Sequence, residues 1–356
     1  MKKRRIQRAV NILREKKVDG LLINDLTNVR YLSGFTGSEA SVIITPEAFF
    51  ILVDSRYTSQ AKIEAPLFQI SKISKRIEDT AKLITRLKLK KIGFDAKNIS
   101  YSDFKELEER LSHCKLIPIE EPLLKLRVSK EKDEIKIITK AISIATFGFN
   151  QVKGQIKTGI TEKEIALELE IALKRAGADK LPFDIIVASG KRSALPHGIA
   201  SNKKIGRGEL VTIDFGVQYQ GYCTDETCTL INGKPTTKQK KIFNIVKDAH
   251  DRAIERIKPG ISSKKVDQAA RDYISKKGFG KYFGHGTGHG VGLSVHEEPQ
   301  LSPLKSETLE EGMIITIEPG IYIPNWGGVR IEDMVLVTRD GCEVLTVLPK
   351  RLEALN

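Results

Sequence analysis

Cysteine is scarce in this chain. Only Cys114, Cys223, Cys228 and Cys342 occur in 356 residues, and no two have the C-x-x-C spacing. That argues against a structural zinc cluster, and a disulfide framework is not expected at this length. The four thiols are expected to be buried and inert. Long apolar runs are also missing: none approaches the roughly 20 residues that cross a bilayer. No short repeat or low-complexity segment is present. The basic start, Met1-Lys2-Lys3-Arg4-Arg5, lacks a following signal core, because Gln7, Arg8, Asn11 and Arg14 break the run. Ile6, Val10 and Leu13 instead recur at helical spacing and predict an amphipathic helix over 3–17. The protein is expected in the cytoplasm, with no membrane partner.

Charge of one sign is in excess, at +14 net. Residues 1–17 carry eight Lys or Arg against Glu15, so +7 sits there and +7 is spread over the remaining 339 residues. Elsewhere Lys and Glu alternate as on a solvated surface, and nucleic acid is not an expected partner. Hydrophobic residues make up 40% and charged residues 29%, the balance of a globular protein. The length predicts two domains.

Residues 1–125 alternate short apolar strands with polar helices. Strands are expected at 20–23, 40–44, 49–53 and 91–94, and helices at 3–17, 55–64, 76–88 and 101–111. This is the pattern of an α/β domain. The junction is placed in the segment from Glu120 to Ser129, so the second domain spans 126–356. There, Ile135, Ile138, Ile142, Ala145 and Phe149 form one helical face. Thr161-Glu162-Lys163-Glu164 opens a second helix as a capping box, and helices over 238–257 and 263–277 follow. Strands are expected at 183–188, 210–217, 222–231, 312–318 and 330–337. The second domain reads as α+β, with a mostly antiparallel sheet.

Acids stand in unusual places in these strands. Asp214 lies within Leu210-Val211-Thr212-Ile213-Asp214-Phe215-Gly216, and Asp225 within Tyr222-Cys223-Thr224-Asp225-Glu226-Thr227. A buried carboxylate is costly unless paired or bound to metal. If Gln220-Gly221 is a two-residue hairpin turn, residue 219 pairs with 222 and 214 faces 227. Asp225, two positions from 227, then shares a face with Asp214. A three-residue turn would separate them. Glu318 and Glu332 repeat the pattern in Ile315-Thr316-Ile317-Glu318 and Arg330-Ile331-Glu332-Asp333. Between the two pairs of acids runs Gly284-His285-Gly286-Thr287-Gly288-His289-Gly290-Val291-Gly292. Its alternating glycines allow close backbone approach or unusual φ. It lacks the dinucleotide spacing and the P-loop lysine. Four carboxylates and an imidazole form a hard, oxygen-rich donor set suited to two divalent ions: Mn²⁺, Co²⁺ or Fe²⁺, with Zn²⁺ admissible.

These motifs, with Leu195-Pro196-His197-Gly198 and Val295-His296-Glu297, resemble the pita-bread metallopeptidase family, over roughly residues 130–340. That family includes methionine aminopeptidases, prolidases and Xaa-Pro aminopeptidases. Tyr31-Leu32-Ser33-Gly34-Phe35-Thr36-Gly37 and Val53-Asp54-Ser55-Arg56-Tyr57 resemble, more loosely, the creatinase/prolidase N-terminal domain, which methionine aminopeptidases lack. The resemblance implies Asp214, Asp225, His289, Glu318 and Glu332 as metal ligands, with Asp225 and Glu332 as bridges. It also implies cleavage before proline: an Xaa-Pro aminopeptidase, or alternatively a prolidase confined to dipeptides, with a non-catalytic binding protein of the same fold as a remote reading. The catalytic residues expected are His197, His296 and Glu318. The substrate contacts expected are His197, His285 and Arg330, the last on one face with Glu332 by strand alternation. His250 is expected to be an ordinary helix residue. A homodimer is expected.

Overall fold

The computed structural model describes residues 2–119 and 121–355. Glu120, in the expected junction, lies outside the described residues. The chain divides into two compact units, Met1–Arg127 and Val128–Asn356. Among the described residues, no helix is long and apolar enough to cross a membrane.

The first unit is built on one mixed sheet. Its strands are β1 (Gly20–Ile23), β2 (Ser41–Ile44), β3 (Phe49–Val53), β4 (Gln69–Lys72), β5 (Lys91–Asp95) and β6 (Lys115–Ile119), in the order β4-β3-β2-β1-β5-β6. The central strands β1, β2 and β3 are mostly apolar and buried. The expected helices form at Lys2–Lys16, Thr58–Glu64, Arg76–Arg86 and Tyr101–Arg110. The first buries Ile6, Ala9, Val10, Ile12 and Leu13. Edge strands β4 and β6 carry no clear apolar alternation, and they escape a sequence reading. So does the helix Leu26–Ser33. Asp25 caps it by accepting from the Thr27 and Asn28 N–H groups, and Gly34 at φ +86° closes it.

The second unit holds β7 (Ile186–Ser189), β8 (Glu209–Phe215), β9 (Gln218–Tyr219), β10 (Tyr222–Cys223), β11 (Glu226–Asn232), β12 (Gly288–Gly290), β13 (Glu297–Leu301), β14 (Ile314–Ile317), β15 (Gly320–Ile323), β16 (Gly327–Arg330), β17 (Asp333–Val337), β18 (Cys342–Val344) and β19 (Ala354–Leu355). Two sheets dominate, β19-β11-β8-β7 and β13-β12-β14-β17-β18, and every pair except β11/β19 is antiparallel. The helices Lys132–Val152 and Glu162–Arg175 pack Phe149, Ile165 and Leu169 with Ile213 and Phe215 of β8. The Phe149 and Phe215 rings stack at 5.3 Å. The helices Thr237–Ile254 and Ser263–Lys276 bury Phe243, Val246, Val266 and Ile274 with Ile315, Ile317 and Val335 of the other sheet. Thr161 and Thr236 form capping boxes with Glu164 and Gln239.

Two expected strands prove to be interrupted. The segment 222–231 breaks at Thr224-Asp225. Gly216 approaches Thr224 so closely that a Cβ would lie 2.0 Å from its carbonyl oxygen. The segment 330–337 breaks at Ile331-Glu332 because the chain changes partner there. Arg330 pairs with Gly320 on β15, whereas Asp333 pairs with Ile317 on β14.

Candidate metal centre

The hairpin register brings the first two carboxylates together. Tyr219 pairs with Tyr222 around Gln220-Gly221, whose φ angles of 50° and 87° define the two-residue turn. The same register carries through the interruption, so Thr227 faces Asp214. Asp214 thus projects from β8, and Asp225 from the gap before β11.

β12 supplies the imidazole. A Cβ at Gly288 would sit 1.9 Å from the Thr316 carbonyl oxygen, and one at Gly290 would sit 2.2 Å from that of Glu298. Neither has positive φ. The glycines therefore serve close approach of β13 and β14, and not unusual φ. His289, between them, lies opposite. The Thr287 side chain and N–H both donate to buried Asp267, which anchors the start of the strand. Glu318 follows β14, and Glu332 lies in the partner-switching gap between β16 and β17.

These residues converge. Asp214, Asp225 and Glu332 place one donor atom each within 4.8 Å of one another, as do His289, Glu318 and Glu332, and also Asp225, His289 and His296. His289 Nε2 is 3.6 Å from Asp225 and 3.5 Å from Glu318, too far for a good hydrogen bond. Its Nδ1 is 3.1 Å from the Gly290 carbonyl oxygen. Four carboxylates thus face a space where the nearby protein cation is Arg330. Asp214 Oδ1 is buried without a hydrogen-bond partner. An orphaned carboxylate oxygen beside an imidazole and three more carboxylates is the chemistry of a cation site, and the residues fit divalent ions.

The electrostatics agree. Burial, then the charges of Glu332, Asp214 and Glu318, pushes the Asp225 pKa up. Burial and the same crowding push Glu332 up, and burial carries Glu318 to about 8. His289 falls to about 4, first through burial and then through His296. In the metal-free protein the carboxyl cluster therefore holds protons that the unfolded chain has released. Glu318 loses its proton near 4.5 when unfolded and near 8 when folded. The folded state binds more protons across that window, so metal-free stability falls as pH rises through it. Thermal melting of chelated protein should give a higher midpoint at pH 5 than at pH 8, and saturating metal should reverse that order. Equal slopes with and without metal would refute the assignment.

The other expected site residues divide. His296 is exposed and its ring lies 4.3 Å from that of His289. Partial burial, then the His197 charge, lowers its pKa. His197 is exposed on the loop after β7. His285 and Arg330 both have partners within the protein. Both His285 ring nitrogens are engaged, Nδ1 2.7 Å from the Gly286 carbonyl oxygen and Nε2 3.0 Å from the Tyr322 hydroxyl. His285 is therefore held as a partner of Tyr322. Arg330, only 3% exposed, donates from Nη2 to Asp214 (2.6 Å), from Nε to Thr227 Oγ1 (3.1 Å), and from Nη1 to Tyr322 OH (2.9 Å) and the Pro196 carbonyl (3.0 Å). Its fork is committed to protein acceptors and orients Asp214. Strand alternation with Glu332 does not apply across the break, yet both side chains meet at Thr227, whose hydroxyl donates to Glu332 at 2.7 Å. Tyr322 and Thr227 are site residues that sequence reasoning missed. Each sits in an ordinary strand pattern with no signal of its own. His250 is also more than a helix residue: it is 2% exposed, with Nε2 3.1 Å from Asp333, the neighbour of Glu332.

Residues 136–339 match metallopeptidase family M24, and residues 5–129 match the creatinase/prolidase N-terminal domain. The chain is 39% identical to an Xaa-Pro dipeptidase of Pyrococcus horikoshii, over 98% of each chain. The structure of an Xaa-Pro dipeptidase from Bacillus anthracis superposes with a TM-score of 0.97 at 42% identity, covering all of both chains. That of an X-Pro aminopeptidase from Thermotoga maritima superposes with a TM-score of 0.92 at 38% identity, over 98% of this chain and 99% of that one. Matched over these two stretches, and aligned with such hydrolases over nearly its whole length, this protein is a member of metallopeptidase family M24 with a creatinase/prolidase-type N-terminal domain.

Proposed function

We propose that this protein is a dinuclear metal-dependent peptidase that hydrolyses the Xaa-Pro bond at the N-terminus of peptides. Asp214, Asp225, His289, Glu318 and Glu332 are the metal ligands in this reading. The observation that carries it is their convergence from separate segments, with Asp214 Oδ1 buried and unpartnered. The oxygen-rich set suits Mn²⁺ or Co²⁺, with Fe²⁺ and Zn²⁺ as weaker fits. A homodimer belongs to the same reading.

Divalent ions held by these residues would supply Lewis acidity and would lower the pKa of a water toward neutrality. The chain's own residues do the rest. Glu318, whose proton affinity burial raises, takes the proton of the attacking water and passes it to the proline nitrogen. That nitrogen belongs to a tertiary amide and leaves only when protonated. His296 donates to the oxyanion, a contribution of about 3–4 kcal/mol for a well-placed donor. His197, on the open loop, contacts the substrate. Arg330 and Thr227 hold Asp214 and Glu332 in place.

A second reading, a prolidase confined to dipeptides, draws support from the Bacillus anthracis relative, whose name is Xaa-Pro dipeptidase. Initial rates on an Xaa-Pro dipeptide and the matching Xaa-Pro-Xaa tripeptide, with Mn²⁺ or Co²⁺ and a chelator control, separate the two. Tripeptide cleavage supports the aminopeptidase, and cleavage of the dipeptide alone supports the prolidase. No chelator-sensitive cleavage of either peptide would sink both.

A further inference from the structure

The two expected bridging ligands, Asp225 and Glu332, both lie in gaps between strands, where the Asp225 N–H meets Met334 Sδ and the Glu332 N–H donates to the Thr227 carbonyl oxygen. Their immediate neighbours, Glu226 and Asp333, are 1% and 2% exposed. One cation meets both. Lys350 Nζ donates to Glu226 Oε1 at 3.0 Å and to the Glu332 carbonyl oxygen at 2.7 Å, and it lies 2.9 Å from Asp333 Oδ1. All three of its bonds fall on the two ligand-bearing segments. The segment leading to it is fastened to the same places. The Leu348 N–H donates to Glu226, the Thr346 hydroxyl donates to Asp333, and the Met334 N–H donates to Thr346 Oγ1. Met334 Sδ in turn accepts from the Asp225 N–H. His250 closes the cluster against Asp333. None of these groups is among the clustered donors that could hold a metal, and residues 340–355 lie beyond the stretch that matches the family.

We propose that Lys350 is a positioning residue for the metal centre, fixing the spacing of Asp225 and Glu332 from behind through Glu226, Asp333 and the Glu332 carbonyl. Neutralisation alone does not explain its placement, because a cation needed only for charge could contact either acid and leave the ligand's backbone free. A lysine bonded to the carbonyl of one ligand residue and to the side chains beside both couples the two segments directly. The inference rests on the proposed ligand set.

The test uses the full chain. Metal-binding isotherms with Mn²⁺ and steady-state kinetics are measured for the wild type, for Lys350→Met, and for a triple variant that adds Glu226→Gln and Asp333→Asn. The triple variant removes the buried acids left unpaired and keeps a folded protein available if the single variant fails to fold. Partners of metal ligands typically account for 10- to 100-fold in affinity, so Lys350→Met should bind Mn²⁺ about 10- to 100-fold more weakly. Its kcat should fall with KM nearly unchanged. The triple variant should melt close to wild type and still bind Mn²⁺ weakly. Wild-type affinity in either variant would overturn the proposal and reduce Lys350 to a counter-charge. A wild type that binds no Mn²⁺ would instead refute the ligand set itself.

Discussion

Asp225→Asn should lose both metal and activity while the metal-free fold becomes no weaker. The substitution keeps the shape of the side chain and the backbone N–H that meets Met334. It replaces a carboxyl that burial, Glu332, Asp214 and Glu318 already hold toward its neutral form with a group that cannot ionise against them. Relief of that repulsion stabilises the chelated protein or leaves it unchanged. An amide is a poor ligand and a poorer bridge, so kcat/KM should drop by more than the 10- to 100-fold typical of an outer partner, that is, by over about 100-fold. Metal analysis after dialysis, melting with chelator and peptide hydrolysis read the three effects. Full activity without added metal would mean the site is elsewhere.

Arg330→Met should act in the opposite sense on the metal-free protein. Arg330 is the buried cation among these carboxylates, and Asp214 and Tyr322 depend on its fork. Burial opposes its charge, but Tyr322 and Asp214 hold its pKa well above the ordinary value. Breaking a buried pair by deleting one partner costs about 3–5 kcal/mol. For a unit of this size that lowers the melting midpoint by roughly 6–20 °C. Arg330→Lys should recover little, because an ammonium cannot reach Asp214, Thr227, Tyr322 and the Pro196 carbonyl together. Calorimetry of the chelated variants is the measurement. A midpoint close to wild type for Arg330→Met would show that Asp214 does not rely on it.

What could be read in advance follows the range of the forces involved. The Gln220-Gly221 turn is local, and its chemistry sets the register that faces Thr227 to Asp214 even across an interrupted ladder. The glycine alternation around His289 announces close packing, although not what would lie against it. The breaks at Asp225 and Glu332 were not legible, because each depends on which distant strand the chain meets. The partners of Arg330 and His285 were not legible, since nothing local marks Tyr322, Thr227 or Pro196 as meeting them. The helix Leu26–Ser33 was within reach: Asp25 and Gly34 are ordinary start and stop signals around it. Lys350 gave no sign at all. It follows a proline near a polar tail and gains meaning only from partners more than a hundred positions upstream or in the adjoining strand.

The dispersal of the five donors has a thermodynamic consequence. Asp214 and Asp225 are eleven residues apart, Asp225 and Glu332 are 107 apart, and no two of the five share the close spacing of a chelating turn. Among these five proposed donors, the unfolded chain therefore offers no preformed chelating pair for a divalent ion. Ion binding then belongs almost wholly to the folded state, so nearly all of its free energy reappears as resistance to unfolding. Conditions that strip the ions should expose the fold as well as silence the chemistry.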